Sequence, residues 1–160
     1  MPVLQVSPDP SIAPLLAAAQ FADAYRLAVD EPALDAVAAA QRIFARTPKW
    51  ISRLLALRNL LVAPLGLKGT GDSQGGATPA RIGFFPVVSQ TPDRVVLGFD
   101  DKHLDFRVIV DVSTPELGVR SVTATTLVRQ NNRFGRLYLA IVLPFHRVIA
   151  PAMLAQASRS

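Results

Sequence analysis

Residues Asn131–Ala157 read NNRFGRLYLAIVLPFHRVIAPAMLAQA, the longest helical pattern in the chain of 160 residues. Phe134, Tyr138, Ile141, Phe145, Val148 and Ala152 recur at spacings of four and three, so they share one side of a helix. Pro144 and Pro151 are expected to bend this helix around a partner rather than end it. The window Leu137–Leu154 has the length of a membrane span, but His146 and Arg147 stand at its centre. A central arginine costs about 2.5–3.5 kcal/mol on insertion. The expectation is therefore a buried helix wrapped by the rest of the chain, with no transmembrane segment.

Working back from that helix, four strand patterns follow one another: Ile82–Val88, Arg94–Phe99, His103–Val112 and Val119–Arg129. Short polar turns separate them, which predicts an antiparallel meander. In the third, Leu104, Phe106, Val108, Val110 and Val112 share one parity, and His103, Asp105, Arg107 and Asp111 share the other with Ile109. One face is core and one is polar. Residues 66–81, GLKGTGDSQGGATPAR, form a long Gly-rich loop without a phosphate-loop pattern, read as a connection or a lid over a pocket mouth. Before it come two helices. Asp30-Glu31-Pro32 is the expected start of the first, Ala33–Arg46. Thr47 caps the second, which carries Trp50, Ile51, Leu54, Leu57 and Leu61. Phe21–Val29 is a strand in which Phe21, Tyr25 and Leu27 share a parity that Asp23 interrupts.

The order strand, two helices, four strands, long helix predicts an α+β fold whose sheet buries one face against the final helix. A single domain is expected over 21–157, after a Pro- and Ala-rich arm over 1–20.

Half of the residues are hydrophobic and 18% are charged, against about 25% in an average globular protein. There is no cysteine, which excludes disulfides, thiolate metal sites and cysteine nucleophiles. The charge is +5 and the pI near 10.4, but the Arg and Lys residues are scattered, which points to a solvated face and not to a nucleic-acid partner. The N-terminus MPVLQVSPDPSIAPLL has no basic n-region of an export signal, so a cytoplasmic location is expected.

Several segments together resemble the bacterial family catalogued as domain of unknown function 2867. They are Gly83-Phe84-Phe85-Pro86-Val87, the run Leu97–Phe106 (LGFDDKHLDF), Thr125–Arg129 continuing into Asn132–Arg136, and Pro144-Phe145-His146-Arg147, with Pro48-Lys49-Trp50 and Leu57-Arg58-Asn59. The likeness spans about residues 21–155. It implies a START-like (SRPBCC) helix-grip fold, in which a curved antiparallel sheet grips the C-terminal helix and a ligand cavity lies between them. It implies no reaction and no cofactor.

Chemistry is sparsely signalled. His103 and Asp105 leave one face of one strand, where a carboxylate beside an imidazole can orient it for proton transfer. That face is also the one expected to carry a surface salt-bridge ladder. His146 stands alone in an apolar helix, either as a satisfied core residue or as the contact for a ligand's polar end. Arg129, Asn132, Arg133 and Arg136 surround the start of the final helix, where free N–H groups attract anions or simply receive a cap. Two histidines 43 positions apart make a poor metal site.

Three functional readings follow. The first is a non-enzymatic module that binds a small, largely apolar ligand against Trp50, Phe84, Phe106, Val108, Tyr138, Phe145 and His146. The second is an enzyme on the same fold, using His103 with Asp105, or His146, for proton transfer. The third is a homodimeric interaction protein with a closed core.

Overall fold

The computed structural model describes residues 2–62, 80–83, 85–100 and 103–159. Phe84, Asp101, Lys102 and residues 66–79 of the Gly-rich loop lie outside the described residues. In chain order the elements are β1 (Leu4–Val6), a 3-10 turn (Pro10–Leu15), β2 (Phe21–Val29), α1 (Ala36–Phe44), α2 (Lys49–Val62), β3 (Arg81–Ile82), β4 (Phe85–Gln90), β5 (Arg94–Asp100), β6 (Leu104–Val112), β7 (Arg120–Gln130) and α3 (Arg133–Leu154), with a closing 3-10 turn (Ala155–Ser158). Among the described residues the strands form one antiparallel sheet in the order β1-β2-β7-β6-β5-β4-β3. The fold is α+β, with the helices on one face of an open sheet.

Register places the side chains in rows across that face. Phe21, Val128, Phe106 and Phe99 form one row. Asp23, Thr126, Val108 and Leu97 form the next, and Tyr25, Ala124, Val110 and Val95 the third. The main core lies here, where Leu27, Val95, Leu97, Val108 and Val110 meet Ala36, Ala39, Ala40 and Ile43 of α1 and Leu154 of α3. The three alanines are fully buried, and their small side chains let α1 lie close to the strands.

Asp35, not Asp30 or Glu31, caps α1, its carboxylate accepting from the Ala38 N–H at 2.7 Å. Leu34 is buried just before it, so the chain must turn there before the helix can begin. Glu31 instead receives the Arg42 guanidinium at 2.7 and 3.0 Å, and that hydrogen bond holds the Glu31 carboxyl below its usual range. Arg42 also reaches the Ala157 carbonyl at 3.1 Å, and Gln156 donates to the Ile43 carbonyl at 3.0 Å. These bonds fasten the C-terminal turn to α1.

The expected strand Ile82–Val88 is split in two by Gly83, whose φ is +60°. A Cβ there would come within 2.5 Å of the Phe44 carbonyl oxygen, so only glycine lets the strand edge pass the end of α1.

The N-terminal arm is part of the fold. β1 extends the sheet beyond β2. The 3-10 turn, capped by Asp9, lays Ile12 and Leu16 on the far face against Val96, Ile109 and Leu127. A cleft of about 280 Å³ remains between arm and sheet, lined by Pro10, Ile12, Leu16, Ala19 and Leu127 among others. The far face is therefore apolar at its centre. Around that centre stand the ion pairs Arg94–Asp111, Arg107–Asp100 and Arg129–Asp105, the last with its carboxylate buried.

α3 runs through both Pro144 and Pro151 as one element. It is rotated about one residue from the aromatic stripe read in the sequence. Gly135, Leu139 and Leu154 are its buried residues, while Phe134 and Val148 are 53% and 51% exposed. Two contacts set this rotation. Gly135 lies directly against the His103 carbonyl, and His146 meets Asp23. Eleven positions are almost exactly three helical turns, so both contacts fall on one line. Among the described residues, Arg133–Ser158 is the one helix long and apolar enough to cross a membrane, by length and composition only.

Candidate functional site

The residue that interrupts the apolar parity of β2 is the centre of the site. Strand alternation aims Asp23 at α3, where it is 7% exposed. A carboxylate there needs a partner, and α3 supplies one. His146 Nε2 lies 2.8 and 3.0 Å from the two carboxylate oxygens. Toward a carboxylate, which as an ion only accepts, Nε2 is the donor, and Nδ1 is the ring's other polar atom. The Phe21 ring meets the imidazole edge-on, with centroids 5.9 Å apart, and Thr126 is the cross-strand neighbour of Asp23.

Tyr25 is next on the same face. Burial first, and the Asp23 charge second, raise its phenol above the ordinary 10.0, with Arg147 acting in the opposite direction. The folded state then holds this proton to higher pH than the unfolded chain does. Stability falls as pH rises from the ordinary phenol value through the raised one. In denaturant melts at pH 9 and 11, Tyr25→Phe is expected to shrink the drop in midpoint between the two pH values. An unchanged drop would show that Tyr25 does not carry the effect.

An aromatic chain leads away from the pair. Phe106 packs against the buried cluster of Leu104, Val128 and Leu139, which Phe21, Tyr138 and Leu143 also join, and its ring meets Phe85, which in turn meets Phe44. Ring centroids are 5.3 Å apart for Phe44–Phe85, 5.4 Å for Phe85–Phe106 and 4.4 Å for Phe99–Phe106, all edge-to-face. Phe106, Thr126 and Ala124 sit on the two strands nearest the middle of the sheet and face the helices, yet each keeps partial solvent access.

The other residues singled out in the sequence fall as follows. Val108 is buried in the core, and Tyr138 and Phe145 are half-buried on the flank of α3. Trp50 is 46% exposed on α2, turned outward because the buried Ile51 takes the core-facing position. His103 and Asp105 do not pair. His103 precedes β6, and Asn132 Nδ2 donates to its Nδ1 at 2.9 Å, with the Phe134 ring 5.5 Å away. Asp105 is buried on the far face, bonded to Arg129 and, at 3.2 Å, to Asn131. The four residues of the expected anion site do not converge. Arg129 is held by Asp105 and the Ala17 carbonyl, and Asn132 caps α3 by accepting from Gly135 N–H at 3.0 Å. Arg133 and Arg136 are exposed on the outer side of α3.

Asp23 was the residue that sequence reasoning passed over. An acid at a core-facing strand position implies a buried partner, and His146 is the polar residue that the apolar helix offers.

A solved structure, the crystal structure of CalU16 from Micromonospora echinospora, is similar over 85% of this chain and 80% of its own, at 11% identity and a TM-score of 0.32. No curated protein matches the sequence. The model of the family described as Protein of unknown function (DUF2867) matches residues 15–153, and the chain belongs to that family.

Proposed function

We propose that the domain binds a small, largely apolar molecule between the sheet and α3, with the Asp23–His146 pair as its polar contact. The observation that carries this reading is the solvent access kept by Ala124, Thr126 and Phe106. They lie mid-sheet and face a helix that would seal them in a filled core. The aromatic chain supplies an apolar wall, and Asp23, His146 and Thr126 supply a few convergent polar groups, the usual character of a ligand site. An antiparallel sheet packed against a C-terminal helix is compatible with the START-like helix grip that the sequence resemblance implies, in which the ligand lies between sheet and helix.

Native mass spectrometry of protein taken directly from cells tests the reading. A retained small molecule is expected. Ala124→Phe fills the proposed space, and is expected to weaken binding of an apolar fluorescent probe about tenfold, or 1.4 kcal/mol, while the protein still melts cooperatively. Equal probe binding by both proteins, with no retained mass, would sink the proposal.

A further inference from the structure

The outer sides of α2 and α3 carry a surface that the proposed ligand site does not use. On α2, Trp50, Leu57 and Leu60 are 46%, 45% and 70% exposed. They stand with Lys49 and Arg53 on one arc of the helix. On α3, Leu137 and Val148 are 48% and 51% exposed, and Arg133, Arg136 and Arg147 share their side. The two helices pack against each other. Neither contains an aspartate or glutamate. Five cations thus flank the exposed apolar residues of these two packed helices, with no carboxylate from either helix.

The geometry points to reversible docking of this α2–α3 face on an anionic lipid surface. Apolar side chains ringed by Lys and Arg are the composition of helices that lie in the membrane interface, with the apolar part sunk among the acyl chains and the cations on the headgroups. A second copy of this chain fits less well. A two-fold interface sets the same patch against itself, and here that brings arginine against arginine.

Trp50 is the only tryptophan and lies on this face, so it reports docking directly. Full-length protein is mixed with vesicles of phosphatidylcholine alone or with about 30% phosphatidylglycerol. The expected result is co-sedimentation and a blue-shifted Trp50 emission with the anionic vesicles, both weakened by 0.5 M salt. The double variant Leu60→Glu/Leu137→Glu is expected to lower partitioning by about tenfold or more with unchanged circular dichroism, since both residues are exposed. Three results would overturn the proposal: no binding to anionic vesicles, equal binding by the double variant, or a stable dimer by light scattering whose assembly alone shifts the Trp50 emission.

Discussion

His146→Leu is expected to lower the free energy of unfolding by about 2–3 kcal/mol, the cost of leaving a buried acceptor without its donor. Asp23 is 7% exposed, and the imidazole touches both of its oxygens. Leucine replaces the ring with a side chain that cannot donate, and the Asp23 carboxyl stays in the seam without that hydrogen bond. The double variant Asp23→Leu/His146→Leu removes both polar groups together. It is expected to recover most of the loss, because buried pairs replaced by apolar residues of similar volume are often neutral. Guanidinium melts of the wild type, both single variants and the double variant check this. A single variant within 1 kcal/mol of the wild type would mean that the pair is solvated and not buried. The same double variant also tests function. If the pair is the polar contact of a ligand, the stable double variant comes from cells without the retained molecule. If the pair serves only packing, the molecule stays.

Gly135→Ala is expected to cost about 2–3 kcal/mol, at the upper end of overpacking penalties. The sign is informative, since alanine is favoured over glycine by about 1 kcal/mol inside a helix, and on an open helix face the change would stabilise. Here the added Cβ overlaps the His103 carbonyl oxygen, which also accepts the Asn131 N–H at 2.9 Å. Backbone cannot rotate aside as a side chain can. To admit a methyl group, α3 must lift from the start of β6, and the His146–Asp23 contact on the same helix line lifts with it. Thermal unfolding measures the loss, and a stabilised variant would refute the close approach.

Much of the architecture was legible in the chain. The strands could be read because their alternation is regular and their turns are short, and β2 and the last three strands fall within a residue or two of their expected limits. The rotation of α3 was not legible. Side-chain size favoured a stripe through Phe134, Tyr138 and Phe145, whereas a glycine and a histidine decide which side faces the sheet. Neither contact has a local signature, because each depends on a partner more than 30 or 120 residues away in the chain. The arm was unreadable for a similar reason. Its Ile12 and Leu16 have no periodicity of their own and take their positions from a pocket of Val96, Ile109 and Leu127. The His103–Asp105 pairing failed because strand parity was extended through a residue that lies before the strand begins.

The pairing of β2 with β7 has a consequence for biosynthesis. Phe21 lies opposite Val128, and Val29 opposite Arg120. A nascent chain therefore carries β2 without its inner neighbour until β7 has been made as well. Pairing across such separations closes slowly, and unpaired strand edges invite aggregation while they wait. β5, β6 and β7, joined by short turns, can assemble first as a template. β2 can then dock on the free edge of β7, with β1 added outside it, so that the strand made first joins the sheet after its neighbour.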